Sequence, residues 1–115
     1  MYKPYTLADV HTSAQRKRFT YISTFAGGGG SSIGYKLAGG HLLAMNEFQQ
    51  IACDTYQQNF PDALTICEDI RSIDTLDLMK RVGIKEGELD IFDGSPPCPP
   101  FSMAGKKRAG WGQTK

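Results

Sequence analysis

Strands that alternate with helices, a four-glycine turn directly after the first strand, and polar residues at every strand end predict an α/β fold. The architecture expected is a doubly wound, mostly parallel, Rossmann-like sheet. Phe19-Thr20-Tyr21-Ile22-Ser23-Thr24-Phe25 is rich in β-branched and aromatic residues and stops at Gly27-Gly28-Gly29-Gly30, as a strand feeding a tight turn does. Ser31 or Ser32 is placed to cap the next helix, whose Ile33, Leu37 and Ala38 fall at helical spacing before Gly39-Gly40 end it. Leu42-Leu43-Ala44-Met45 reads as a short buried strand ending at Asn46-Glu47. From Gln49 to Asn59 a helix is expected, with Ile51, Ala52, Thr55 and Tyr56 on its apolar face and Pro61 closing it. Ala63 to Cys67 reads as a third strand, and Ile73, Leu76, Met79 and Val82 mark an amphipathic helix stopped by Gly83. The fourth strand, Leu89 to Phe92, runs into Asp93-Gly94-Ser95-Pro96-Pro97-Cys98-Pro99-Pro100. Ahead of all this, residues 1–18 read as a tail or short helix; after it, residues 102–115 read as a mobile loop.

At 115 residues and 40% apolar composition the chain is the size of one modest domain. Thirteen basic residues against twelve acidic ones argue neither for nor against a nucleic-acid partner. There is no membrane-length apolar run and no signal-peptide core near the N-terminus, so an intracellular, soluble protein is expected. Cys53, Cys67 and Cys98 are odd in number and lack zinc-site or disulfide-scaffold spacing. At least one is expected to be free, no metal site is expected, and Cys53 and Cys67 read as core packing.

In open α/β sheets ligands lie beyond the carboxyl ends of the strands. There the glycine run allows close backbone approach to a nucleotide-like ligand, and Glu47, 20 residues after Gly27, stands where an acid could accept from ribose hydroxyls. The plainer alternatives are a glycine-rich turn of no further role and a carboxylate favoured at a helix start. Cys98 is held among four prolines on a stiff turn, which suits a pre-organised thiolate nucleophile, though most free cysteines are inert. Lys106, Lys107 and Arg108, with Trp111 after them, could grip phosphates or simply be solvated.

Taken in order, these residues resemble the DNA (cytosine-5) methyltransferase family from Phe19 to about Gly112. Phe25-Ala26-Gly27-Gly28-Gly29-Gly30 is similar to the family's F-x-G-x-G-G motif, which wraps S-adenosylmethionine. The resemblance implies that Phe25, Ala26, Gly27, Gly29 and Gly30 contact that cofactor, that Glu47 holds its ribose, that Phe48 packs on its adenine and that Asp69 and Ile70 meet the adenine edge. Gly94-Ser95-Pro96-Pro97-Cys98 resembles the catalytic G-G-P-P-C-Q, with Phe101-Ser102 continuing it; Pro97 would adjoin the cofactor and Cys98 would be the nucleophile. Pro99 stands where glutamine is common and Ser95 where glycine is, so base extrusion could differ in detail.

The implied sheet order is 3-2-1-4, with residues 19–101 as the cofactor-binding part and residues 102–115 as a loop that closes over double-stranded DNA. Ser102, Lys106, Lys107 and Arg108 are the implied phosphate contacts. The implied reaction is methyl transfer to cytosine C5 through a Cys98 adduct at C6, on a base flipped out of the duplex. The family's E-N-V and Q-x-R motifs, its target-recognition domain and its last cofactor motif have no counterpart here. An incomplete catalytic domain is therefore expected, completed by its C-terminal part or by a second polypeptide; self-association would also cover a bare strand edge. A bacterial or phage-encoded, cytoplasmic restriction-modification setting follows from the resemblance, with a nuclear one left open. Two other readings stand beside it: an inactive or partner-dependent S-adenosylmethionine-binding module, and a nucleotide-dependent oxidoreductase, against which the Pro-Pro-Cys segment and the imperfect glycine spacing count.

Overall fold

Tyr21, Ile22, Ser23 and Thr24 are all buried, which a strand achieves only when both of its faces are covered. That strand, β1 (Phe19–Thr24), lies inside a parallel sheet with β2 (Gly40–Asn46), β3 (Thr65–Ile66) and β4 (Ile91–Gly94). The computed structural model describes residues 3–96, and within them the sheet order is β3-β2-β1-β4, as expected. The α-helices are α1 (Leu7–Ala14), α2 (Gly30–Leu37), α3 (Gln50–Asn59) and α4 (Thr75–Val82), with a 3-10 turn at Ile70–Ser72.

The main core lies on one face of the sheet, where Val10 of α1, Met45 of β2, and Tyr56 and Phe60 of α3 and its end pack together with Ile33 and Leu37 of α2. A bulge in β2 sets this up. Tyr21 pairs with Leu42 but Ile22 pairs with Ala44, so one residue is skipped and both Leu42 and Met45 reach the same core. On the other face Ile22, Ala44, Ile66 and Phe92 meet Ile73 and Leu78 around a smaller apolar cavity of about 230 Å³.

Several elements depart from expectation for identifiable reasons. Of the tail or short helix read for residues 1–18, the helix is present, started by a capping box in which Thr6 and Asp9 satisfy each other's backbone amides; what departs is its place in the core, with Val10 completely buried. Neither Ser31 nor Ser32 caps α2: the cap is Gly29, without a side-chain bond, and Ser32 is buried against the Tyr56 hydroxyl. The buried face of α3 is Cys53 and Tyr56, leaving Thr55 exposed and Ile51 82% exposed. The third strand contracts to two residues, paired with Met45 and Asn46. The fourth shifts two residues later. Asp90 spends its side chain on the Thr20 amide at 2.8 Å, and Asp93 is drawn into the strand by the hydroxyls of Ser23 and Tyr35.

Candidate cofactor site

The carboxyl ends of β1, β2 and β3 converge on a cavity of about 620 Å³. Six residues singled out from the sequence line it: Phe25, Gly27, Glu47, Phe48, Asp69 and Ile70. Three others stand elsewhere. Ala26 packs on the core, Gly30 opens α2, and Gly29 is buried against α3. Pro97 and Cys98, and the DNA-contact candidates Ser102, Lys106, Lys107 and Arg108, lie outside the described residues. Ser95, three positions before Cys98, lines the cavity.

The glycine turn is shaped by two left-handed glycines with different duties. Gly27 has φ +59°, and a Cβ there would meet nothing within 4 Å among the described residues, so its backbone faces the cavity. Gly29 has φ +104°, and a Cβ there would come within 2.9 Å of the Phe60 ring and 3.1 Å of Tyr56; it lets the start of α2 press against α3. The turn is tied to β2 by the Ala26 amide, which donates to the Asn46 carbonyl at 3.1 Å.

Glu47 stands at the start of α3, the plainer of the two roles foreseen for it, and also ties down the glycine turn. One carboxylate oxygen accepts from the Gly27 amide at 3.0 Å and the other from the Gln49 amide, at the N-cap of α3, at 2.8 Å. Each oxygen keeps a lone pair for another donor. Beside it Phe48 is 69% exposed, a large aromatic face with no place in the core. Asn46, buried, fixes the neighbouring strand end by donating to the Ile66 and Glu68 carbonyls, both at 2.9 Å.

Asp69 caps the 3-10 turn and is chelated by the residue two positions on. Its oxygens accept from the Arg71 amide at 2.9 Å and from the guanidinium at 2.6 Å. Those hydrogen bonds hold the Asp69 carboxyl at about 2, well below the usual carboxylate range. Arg71 also lines the cavity and carries no signal in the sequence pattern. Among the described residues Glu47, Glu68 and Asp69 stand against one guanidinium, so this part of the cavity wall is net negative. It therefore suits a ligand that is cationic overall and repels a pyrophosphate.

A disulfide joins Cys53 and Cys67, with Cα atoms 6.2 Å apart; Cys53 is buried in the core as expected, and the pairing is an addition to that reading. The register of β3 on β2 brings the segment after β3 beside the first turns of α3, which sequence spacing alone does not reveal. The link ties together two walls of the cavity, next to Ala52 and Glu68.

A parallel sheet of order 3-2-1-4 with its crevice beyond the strand ends, a glycine turn and a carboxylate ending the second strand defines a Rossmann-like α/β protein with a cofactor-type pocket. Within that class, the family model for C-5 cytosine-specific DNA methylase matches residues 19–114, and the chain belongs to that family. It is 40% identical over 87 residues to the Type II methyltransferase M1.HphI of Haemophilus parahaemolyticus, covering 76% of this chain and 23% of that protein. It is 36% identical over 86 residues to M.XorII of Xanthomonas oryzae pv. oryzae, covering 75% and 20%, and 38% identical over 86 residues to M.AquIA of Picosynechococcus, covering 75% and 35%. The chain thus spans about a fifth to a third of the length of these curated relatives. A solved TehB-like SAM-dependent methyltransferase from Corynebacterium glutamicum aligns at 20% identity and a TM-score of 0.41, covering 64% of this chain and 39% of that one. Among the described residues no helix is long and apolar enough to cross a membrane, and no group of three metal-ligating side chains occurs.

Proposed function

We propose that the chain is the cofactor-binding and nucleophile-bearing part of a DNA (cytosine-5) methyltransferase that uses S-adenosylmethionine. The observation that carries this reading is the cavity, in which Glu47, the exposed Phe48 face and the open backbone at Gly27 meet under a net negative wall. S-adenosylmethionine fits that chemistry: its sulfonium and ammonium outweigh its one carboxylate, its ribose hydroxyls are donors for Glu47, and its adenine is a flat ring for Phe48 to stack on. A pyrophosphate-bearing nicotinamide cofactor does not fit the same charge, which ranks the oxidoreductase reading last.

When bound, the cofactor supplies an electrophilic methyl group. The chain's own residues do the rest in this reading. Glu47 fixes the ribose and so the depth of the cofactor, and Asp69 and Ile70 frame the adenine. Cys98, four residues after Gly94 ends β4, attacks C6 of the flipped cytosine as a thiolate and makes C5 nucleophilic. Loss of the C5 proton and elimination of the thiolate then complete the transfer. Pro97 adjoins the cofactor, and Ser102, Lys106, Lys107 and Arg108 contact DNA phosphates from residues 102–115, with residues 19–101 forming the cofactor-binding part. The substrate is double-stranded DNA. Segments that read the target sequence and complete the pocket come from the C-terminal part of the catalytic domain or a second polypeptide, and the setting is bacterial or phage restriction-modification in the cytoplasm.

The test is a covalent trap. Fluorine at C5 cannot leave as the proton does, so a duplex bearing 5-fluorocytosine should remain bonded to Cys98 when the remaining part of the domain and the cofactor are supplied. Peptide mapping by mass spectrometry should place the adduct on Cys98 and find none in Cys98→Ser. An adduct on another residue, or none with the complete domain, contradicts the reading.

A further inference from the structure

A second concavity, of about 460 Å³, opens near the other end of β2. His41 is the second residue of that strand and Asn46 its last, so the two cavities are separated by roughly 16 Å at about 3.3 Å per residue. Among the described residues they share no lining residue. The wall carries His11 from α1, Lys17 from the turn after it, Lys36 from the last turn of α2 and His41 from β2, with Phe60 and Asp62 beyond the end of α3.

The charge here is lopsided. Both histidines of the chain are in this wall, and among the described residues Asp62 is its one acidic residue. Among the described residues no carboxylate lies within ion-pair distance of Lys17 or Lys36. The Lys36 ammonium sits 5.0 Å over the Phe60 ring, and burial pushes it below its ordinary value while Asp62 opposes the shift. His41 is pushed down by burial and then by the charges of Lys17 and Lys36. Cations gathered in a concavity raise each other's energy, and an anion with several acceptor oxygens relieves that repulsion while accepting from ammonium and imidazole N–H groups.

We propose that this concavity is a phosphate-binding site distinct from the cofactor cavity, with Lys17, Lys36 and His41 as the ligating residues and a small phosphorylated molecule as its occupant. The concave shape favours a small molecule over a duplex backbone, and the Phe60 and Leu42 side chains in the wall offer contact for its carbon part.

The imidazole C–H signals of His11 and His41 are the chain's own reporters, and both belong to this site. Inorganic phosphate titrated into the 115-residue chain should shift both signals saturably, whereas sodium chloride at matched ionic strength should not. At saturation the His41 titration should move to higher pH, because phosphate offsets Lys17 and Lys36; His11 and Asp62 are the other titratable groups facing it. Lys17→Gln and Lys36→Gln should each weaken binding at least about tenfold, a loss of about 1.4 kcal/mol. Shifts reproduced by chloride, or unaffected by both substitutions, would overturn the site. A short duplex that displaces phosphate and restores the free signals would overturn the small-molecule occupant in favour of a nucleic-acid backbone.

Discussion

Glu47 accepts a hydrogen bond from the Gly27 amide at 3.0 Å across 20 residues of sequence, joining the carboxyl ends of the two inner strands. Its second oxygen accepts from Gln49 at 2.8 Å, so one side chain anchors the glycine turn and the start of α3. In Glu47→Gln a single carbonyl oxygen must serve two amides, while the new NH2 faces a donor. Urea unfolding should show a loss of about 1.5–3 kcal/mol, the range for hydrogen bonds to a charged group. An unchanged midpoint would mean that the carboxylate does not anchor the turn.

The two left-handed glycines should separate structure from ligand binding. Gly29→Ala drives a Cβ to 2.9 Å from Phe60 and adds backbone strain at φ +104°. Thermal unfolding should report a loss of about 2 kcal/mol or more. Gly27→Ala meets no atom of the described residues within 4 Å and should cost only about 1 kcal/mol of backbone strain, yet weaken cofactor binding because the methyl enters the cavity above the turn. Equal destabilisation by the two would contradict this division.

Arg71 holds the Asp69 carboxyl at about 2. A carboxyl depressed in the folded state adds stability above its unfolded value, near 4, and that contribution disappears as pH falls through about 2. The pair is exposed, so its loss should change stability little at neutral pH. In Arg71→Ala the carboxyl should titrate closer to its ordinary range, with the Arg71 backbone amide's counterpart still donating, as carboxyl carbon NMR would show. A midpoint that stays near 2 would assign the shift elsewhere.

The Cys53–Cys67 link closes a loop of 14 residues. By loop entropy alone such a closure contributes about 3 kcal/mol. Denatured, unreduced chain should react with one equivalent of thiol reagent and reduced chain with three, since the chain has three cysteines. Reduction should lower the unfolding midpoint. Three reactive thiols before reduction would contradict the pairing.

The strand order is implied by the family resemblance, whereas the crevice could be read from the residues themselves, because each strand end is marked by a chemically distinct residue. Glu47, Phe48, Asp69 and Ile70 follow β2 and β3, and a parallel sheet must bring such ends together. What could not be read depends on tertiary partners. Ser32 looks like a cap but satisfies Tyr56, and Ile51 fits the apolar period of α3 but faces solvent because Cys53 and Tyr56 turn inward. Arg71 enters the site only through its chelation of Asp69, and the cysteine pair arises from strand register. The fourth strand starts late because Asp90 gives its side chain to Thr20, a contact spanning 70 residues.

The most direct test of the cofactor assignment is calorimetric titration of the chain, supplied with the remaining part of its catalytic domain, with S-adenosylmethionine and, separately, with a nicotinamide dinucleotide, each repeated on Glu47→Ala. Selective binding of S-adenosylmethionine that is lost in Glu47→Ala is the predicted result. Binding of the dinucleotide without S-adenosylmethionine, or S-adenosylmethionine affinity undiminished in Glu47→Ala, would contradict it.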